Sequence, residues 1–182
     1  MAKVLIIIST GFEEMEAVTI IDILRRANIE VVICTINDIL TVGAHGIVIQ
    51  ANQYLKNIDC SIFDMVILPG GGVNTQNLAK SSLVKQTLQQ MKNDNKFIGA
   101  ICAAPYALHE ANVLNTQYTC YPNFEEKIDS SSYKQNDNVV IDGKVITSKG
   151  PATTIEFSLT LVKLLTNDET LLKIKKSLLV KP

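Results

Sequence analysis

The stretch that decides the fold is residues 4–14, VLIIISTGFEE, where an unbroken apolar run leads through a glycine into two acidic residues. Five consecutive apolar residues, Val4–Ile8, predict a strand covered on both faces, because a half-exposed strand would alternate apolar and polar positions. Gly11 then breaks the strand. Glu13 and Glu14 are typical of the first turn of a helix, whose N-terminus favours negative charge. The stretch is therefore predicted to form a strand, a turn and a helix.

The same alternation of strand and helix continues along the chain. Further strands are predicted at Val31–Ile36, Met65–Leu68, Phe97–Ile101, Val139–Ile141 and Val145–Thr147, and further helices at 82–91, 103–111, 152–165 and 169–179. Residues 37–58 are expected to form an irregular hairpin excursion around a short strand at Ile47–Ile49, and residues 112–138 to be turn-rich. This alternation predicts an α/β fold with a doubly wound, largely parallel sheet and helices on both faces.

The composition is that of one ordinary globular domain, residues 1–182, with 47% hydrophobic residues, 19% charged residues and a net charge of −1. The absence of a basic run argues against a specific nucleic-acid partner, and no apolar stretch approaches the ~20 residues that span a membrane. Four cysteines have spacings that match neither a metal site nor a disulfide framework. The interpretation is a reducing, cytoplasmic compartment.

Ligands of such sheets bind at the carboxyl ends of the strands, where this chain places Cys102. Residues 98–105, IGAICAAP, read as a strand, a sharp turn among small residues and a helix with Pro105 in its first turn. A thiol at this position faces the positive end of a helix dipole, so we expect a reactive thiolate. The alternative is that Cys102 is a small buried apolar residue.

A nucleophile needs a nearby group that accepts its proton. His109 lies seven residues further along the predicted helix, too far to touch the thiol. Glu13 and Glu16 share one helix face while Glu14 points elsewhere, so one of the first two is expected beside the sulfur. Burial would raise the pKa of that carboxyl group and let it donate a hydrogen bond to the thiolate. The alternative is that these acids only complement the helix dipole in water.

The glycine cluster after the Met65–Leu68 strand, Pro69–Gly72, is the third part of the expected site. Backbone N–H groups at Gly70 and Gly71 are candidates for an oxyanion site, since glycine allows such groups to converge. The alternative is a simple turn that ends the strand. The segment 148–151, SKGP, is in the same way either a wall of the site or the entry to a helix.

Together these segments resemble the ThiJ/PfpI superfamily of class I glutamine amidotransferase-like domains, and within it the parkinsonism-associated deglycase branch. The resemblance implies a flavodoxin-like fold, a homodimer and no cofactor or metal. It assigns the nucleophile to Cys102, its acid partner to Glu16, and the oxyanion site to the N–H groups of Gly71 and Ala103. The matching stretches are GFEEME (11–16), LPGG (68–71), AICAAP (100–105) and TSKGP (147–151).

The function that this resemblance implies is a cysteine-dependent glyoxalase or deglycase. Such an enzyme converts methylglyoxal-type dicarbonyls, or early glycation adducts of proteins and nucleotides, into hydroxy acids and protects against oxidative stress. The competing hypothesis is a redox-sensing or chaperone protein in which Cys102 is an oxidation switch without significant turnover.

The sequence departs from the family pattern at three places. Tyr121 stands where the branch often has histidine, which leaves the proton transfer to Glu16. Ala103 stands where the protease branch has histidine, so peptidase activity is disfavoured. His45 replaces an arginine that a relative supplies near the site of its partner subunit, and Arg26 is an alternative source of positive charge.

Overall fold

A seven-stranded sheet forms the centre of the computed structural model, which describes residues 1–180; the last two positions of the predicted 1–182 domain lie outside the described residues. The strands are β1 Lys3–Ile8, β2 Glu30–Thr35, β3 Leu40–Val42, β4 Val48–Gln50, β5 Gln53–Tyr54, β6 Met65–Leu68, β7 Phe97–Ile101, β8 Val139–Asp142 and β9 Val145–Ser148. The helices are α1 Glu14–Arg26, α2 Gly72–Lys80, α3 Ser82–Asn93, α4 Pro105–Glu110, α5 Thr154–Leu165 and α6 Asp168–Ser177. The strand order is β5-β2-β1-β6-β7-β9-β8, with only the β8–β9 pair antiparallel, which confirms the predicted doubly wound α/β fold.

The continuous apolar run of β1 is explained by two cores, one on each face of the sheet. Val4, Ile6 and Ile8 pack into a core with α1 and α5, while Leu5 and Ile7 pack into a second core with α2, α3 and α4. Because successive side chains of a strand point to opposite faces, both sets must be apolar.

The hairpin expected at 37–58 is present as the antiparallel pair β3 and β4, but two other elements were not predicted. Strand β5 follows the hairpin and joins the main sheet beside β2. Helix α2 was not predicted, because its sequence GVNTQNLAK begins with glycine and carries Asn and Thr, which have weak helix propensity. Tertiary packing against α4 and α3 stabilises it.

The order of the central strands is what assembles the site. β1, β6 and β7 are neighbours and parallel, so the segments that follow them meet at one edge of the sheet. These are the turn before α1, the glycine turn before α2 and the elbow before α4. Among the described helices, none has both the length and the apolar character required to cross a membrane.

Candidate active site

Cys102 sits in a strained elbow between β7 and α4. Its φ of +64° lies in the left-handed region, which is uncommon for a residue with a side chain and costs roughly 1–2 kcal/mol. Both of its backbone groups are held: its N–H donates to the carbonyl of Ser148 at 2.9 Å, and its carbonyl accepts the N–H of Tyr121 at 2.8 Å. The residue is 8% exposed, so the elbow holds the thiol almost, but not wholly, out of water.

Glu16 lies beside this thiol, in the first turn of α1, and is fully buried. Its Oε2 accepts the N–H of Gly70 at 2.7 Å. Its Oε1 is buried and has no hydrogen-bond partner among the described residues. The neighbouring thiol of Cys102 acts to lower the pKa of the Glu16 carboxyl group. Burial raises the pKa of the Glu16 carboxyl group from 4.5 to about 8. Glu16 is therefore mostly protonated at neutral pH.

Two backbone N–H groups, those of Gly71 and Ala103, lie close to the sulfur of Cys102 and act to lower the pKa of its thiol. They come from different strand ends, β6 and β7, and are the pair to which the resemblance assigns the oxyanion site. Gly70 packs directly against the reacting groups. A Cβ at this position would lie 2.5 Å from the Cβ of Cys102 and 2.7 Å from Oε2 of Glu16, so only glycine fits.

The expectation of a thiolate produced by the helix dipole is wrong. Burial, together with a carboxylate charge on Glu16, raises the pKa of the Cys102 thiol to about 12, although the N–H groups of Gly71 and Ala103 act to lower it. Helix α4 has only six residues and begins three residues after the thiol, so its dipole is weak there. The two groups titrate as a pair. Only the ionised form of Glu16, which is the minor form at neutral pH, can accept the proton of the thiol.

Tyr121 and Gly150 form the mouth of the site. A Cβ at Gly150 would lie 3.3 Å from the ring of Tyr121 and 4.0 Å from Oε1 of Glu16. The Tyr121 side chain is 48% exposed, and its backbone bond to Cys102 ties it to the elbow. The segment around Gly150 is both a wall of the site and a helix entry, since a 3₁₀ turn at Pro151–Thr153 leads from it into α5.

Arg26 is not brought to this site within one chain. It occupies the last turn of α1, ten residues beyond Glu16, which corresponds to about 15 Å along the helix. There its Nε pairs with the carboxylate of Asp22 at 2.6 Å. As a source of positive charge near Cys102 of the same chain, Arg26 is ruled out by this distance.

His45 contacts Glu14 rather than Cys102. The backbone N–H of His45 donates to Oε1 of Glu14 at 2.6 Å, and the ring Nδ1 of His45 lies 2.9 Å from Oε2 of Glu14. Glu14 points away from the thiol, as predicted, but it is buried instead of solvated and fixes the 43–47 loop. Glu13 is the N-cap of α1, accepting the N–H of Glu16 at 2.7 Å.

Glu13, Glu14 and His45 are the one set of three or more possible metal-ligating side chains that lie together among the described residues. Their candidate ligand atoms lie within 4.8 Å of one another. Both oxygens of Glu14 already accept hydrogen bonds from the 45–47 loop, and the N-terminus of α1 carries the positive end of its dipole. These hydrogen bonds hold the loop at the start of α1, which explains why the three side chains lie together.

One buried polar residue of the site was missed by the sequence analysis. Asn74, in α2, donates to the carbonyl of Gly70 at 3.0 Å. A lone asparagine is no signal in a sequence. Its helix was itself not predicted, so nothing pointed to the contact.

Comparisons with a family model, with curated proteins and with solved structures all point to one family. The model of the DJ-1/PfpI family matches residues 2–164. Protein DJ-1 homolog B of Arabidopsis thaliana is 37% identical over 99% of this chain, which spans only 42% of that protein. A Caenorhabditis elegans protein named glutathione-independent glyoxalase DJR-1.2 is 33% identical over 93% of this chain and 89% of its own length. The structure described as oxidized Toxoplasma gondii DJ-1 superposes with a TM-score of 0.93 at 32% identity, covering 98% of each chain.

Proposed function

This chain belongs to the DJ-1/PfpI family, and we propose that it is a cysteine-dependent, cofactor-independent glyoxalase or deglycase. Its substrates would be methylglyoxal-type dicarbonyls or the early glycation adducts that they form on proteins and nucleotides. The observation that carries the proposal is the buried carboxyl group of Glu16, with one oxygen that has no hydrogen-bond partner among the described residues, beside the nearly buried thiol of Cys102. The name of the Caenorhabditis elegans relative supports the same chemistry.

The proposed reaction begins with addition of the thiol to an aldehyde. The sulfur of Cys102 bonds to the aldehyde carbon while its proton passes to the Glu16 carboxylate and on to the aldehyde oxygen, giving a hemithioacetal. We assign to the N–H groups of Gly71 and Ala103 the stabilisation of that oxygen as negative charge develops on it.

Glu16 then moves a proton between two neighbouring carbons. It removes the proton from the former aldehyde carbon and returns one to the former ketone carbon. The hydroxyl proton on the former aldehyde oxygen passes to the former ketone oxygen, so the hemithioacetal becomes a thioester of a 2-hydroxy acid. Water hydrolyses the thioester and regenerates the thiol, and methylglyoxal yields lactate. A carboxyl group with a pKa of about 8 suits both directions of transfer, since a catalyst works best with a pKa near the working pH.

The test is lactate formation from methylglyoxal without glutathione. Cys102→Ser should abolish it, and Glu16→Gln should lower kcat by roughly 10²- to 10⁴-fold. Cys60→Ser is the matched control, because Cys60 is equally exposed at 8% but its thiol donates to Oε1 of Gln90 at 2.9 Å, in the other core. Turnover by the Cys102→Ser variant at the wild-type rate would overturn the proposal.

The second candidate is an oxidation switch at the same sulfur, which the description of the Toxoplasma gondii relative as oxidized supports. Peroxide would convert the Cys102 thiol into a sulfenic acid with release of water. Intact-mass measurement after mild peroxide treatment tests this. Stoichiometric addition of oxygen at Cys102 together with negligible dicarbonyl turnover would favour the switch over the enzyme.

A homodimer is also proposed, on the basis of an exposed apolar face. Met15 and Val18 of α1 and four residues of the β3–β4 hairpin are 42–63% exposed. The hairpin is tied to the start of α1 by the bond from the N–H of Gly11 to the carbonyl of Val42 at 2.8 Å. Such a face commonly marks an interface. Light scattering should give twice the chain mass, and Val18→Lys should reduce it to one chain; a monomeric wild type would contradict the dimer.

The proposed compartment is the cytoplasm. All four cysteines lie within the described residues and are free thiols, as suits a reducing environment. Fractionation of cells that express the chain with a small tag would test this placement.

A further inference from the structure

We propose that Asn74 is a positioning residue that aims two successive backbone N–H groups at Glu16 and Cys102. The inference rests on the proposed function of that pair and adds a residue to which neither the family motifs nor the reaction scheme assigns a part.

Asn74 uses every hydrogen-bonding position of its side chain. Its Nδ2 donates to the carbonyl of Pro69 at 2.8 Å and to that of Gly70 at 3.0 Å. Its Oδ1 accepts the N–H of Ser9 at 2.7 Å and the hydroxyl of Ser9 at 3.0 Å. Because a backbone N–H only donates and a carbonyl only accepts, these partners fix which end of the amide is which. The side chain is fully buried, so water does not compete for these bonds.

The two carbonyls that Asn74 holds belong to the peptide groups that serve the reacting pair. In a planar trans peptide the C=O and the following N–H point in opposite directions. The carbonyl of Pro69 is thus paired with the N–H of Gly70, which donates to Glu16. The carbonyl of Gly70 is paired with the N–H of Gly71, which lies close to the sulfur of Cys102 and acts to lower the pKa of its thiol. Holding both carbonyls on one side turns both N–H groups towards the site.

The glycine turn needs this restraint. Gly71 has a φ of +94°, and glycine reaches many other conformations at little cost. The N–H of Glu13 also donates to the carbonyl of Gly70, at 3.1 Å, but among the described residues only Asn74 bonds both carbonyls. Through Ser9 the side chain also links the turn to the end of β1. The orientation of the two donors is therefore fixed relative to the sheet.

Asn74→Ala tests the role without introducing a charge. Released peptide groups donate less well to the Glu16 carboxylate and to the Cys102 thiolate, so both pKa values rise. We expect the pH midpoint of Cys102 alkylation by iodoacetamide to move up by about a half to one pH unit. For methylglyoxal, kcat should fall about 10- to 100-fold with KM changed less than about twofold, since an oxyanion donor acts mainly on the transition state.

Asn77→Ala is the matched control. Asn77 lies one turn further along α2 and bonds the hydroxyl of Ser9 at 3.3 Å and the carbonyl of Thr10 at 3.5 Å, without touching the glycine turn. Its alkylation midpoint should equal that of the wild type. If Asn74→Ala lowers thermal stability but keeps its midpoint within about 0.2 pH unit of the wild type, Asn74 only supports the fold and the inference is wrong.

The alkylation measurement needs no substrate, so it separates this inference from the proposed function. A wild type without dicarbonyl turnover would defeat the proposed function, and the midpoint comparison would still decide the role of Asn74. If Asn74→Ala does not fold, Asn74→Ser, which loses the paired donation to both carbonyls but keeps a polar side chain, is measured in its place. A raised alkylation midpoint supports the inference, and a midpoint equal to that of the wild type overturns it.

Discussion

Glu16→Gln is expected to stabilise the folded protein increasingly as the pH rises from 5 to 8. The unfolded chain releases the Glu16 proton near its ordinary pKa of 4.5, whereas the folded protein keeps it up to about 8. Between these values ionisation favours the unfolded state, so the free energy of unfolding of the wild type falls as the pH rises. Glutamine has no proton to lose, and its carbonyl oxygen still accepts the N–H of Gly70.

The size of the effect follows from the two pKa values. At about 1.4 kcal/mol per pH unit, the wild type loses roughly 3 kcal/mol by pH 7 and roughly 4 kcal/mol by pH 8 relative to its stability at pH 4.5. Small proteins are stable by only about 5–15 kcal/mol, so this difference is readily measured. A residue assigned to catalysis thus lowers the stability of the fold at the pH where it works.

Urea unfolding of both proteins at pH 5, 6, 7 and 8, at one fixed protein concentration, measures the difference. Glu14→Gln is the control in the same helical turn. Hydrogen bonds from His45 hold the pKa of Glu14 below its ordinary value despite its burial, so its stabilising contribution is complete above pH 4.5 and is lost only in acid. That variant should be less stable than the wild type by an amount that does not grow with pH. A difference for Glu16→Gln that stays constant from pH 5 to 8 would show that Glu16 is not held protonated.

Three further outcomes are expected. Gly70→Ala should abolish both turnover and alkylation of Cys102, because the added Cβ overlaps the thiol side chain. Gly72→Ala is the control and should keep both, since a Cβ there meets nothing within 4 Å. An active Gly70→Ala protein would contradict the packing. The hydrogen bond to Glu14 raises the pKa of His45, so NMR titration should place that pKa above 6.5 in the wild type. In Glu14→Gln the pKa of His45 should return towards 6.5. The same pKa in both proteins would show that the contact does not persist in solution. The rate of dicarbonyl turnover by the wild type should rise as the pH passes through about 8, where the general base ionises, and a flat profile from pH 6 to 9 would argue against a carboxyl base.

Local patterns were sufficient for most of the fold. The apolar runs of β1, β6 and β7 predicted buried parallel strands because only a strand covered on both faces needs apolar residues at every position. The amphipathic period of α1, α3 and α5 was equally clear. The pattern failed at α2 and β5, whose sequences have weak propensity and which form because neighbouring elements cover them.

For the site, the sequence was sufficient to bring together Cys102, the glycine turn and one acid from the start of α1, since all three follow predicted parallel strands. The family resemblance chose Glu16 over Glu13. It was not sufficient for their protonation. The helix dipole predicted an ionised thiol, whereas burial and the neighbouring carboxyl group govern both pKa values. The prediction that Arg26 supplies positive charge near Cys102 was wrong for a geometric reason, because Arg26 and Glu16 lie at opposite ends of the straight helix α1.

The sequence by itself determined the order of the elements and the kinds of groups at the carboxyl edge of the sheet, because hydrophobic period and turn chemistry act between near neighbours. Only the tertiary structure decided how those groups behave. Glu16 meets Gly70 across 54 positions of the chain, and Ser9 meets Asn74 across 65. The charge of a carboxyl group and the direction of an N–H depend on what surrounds them in space.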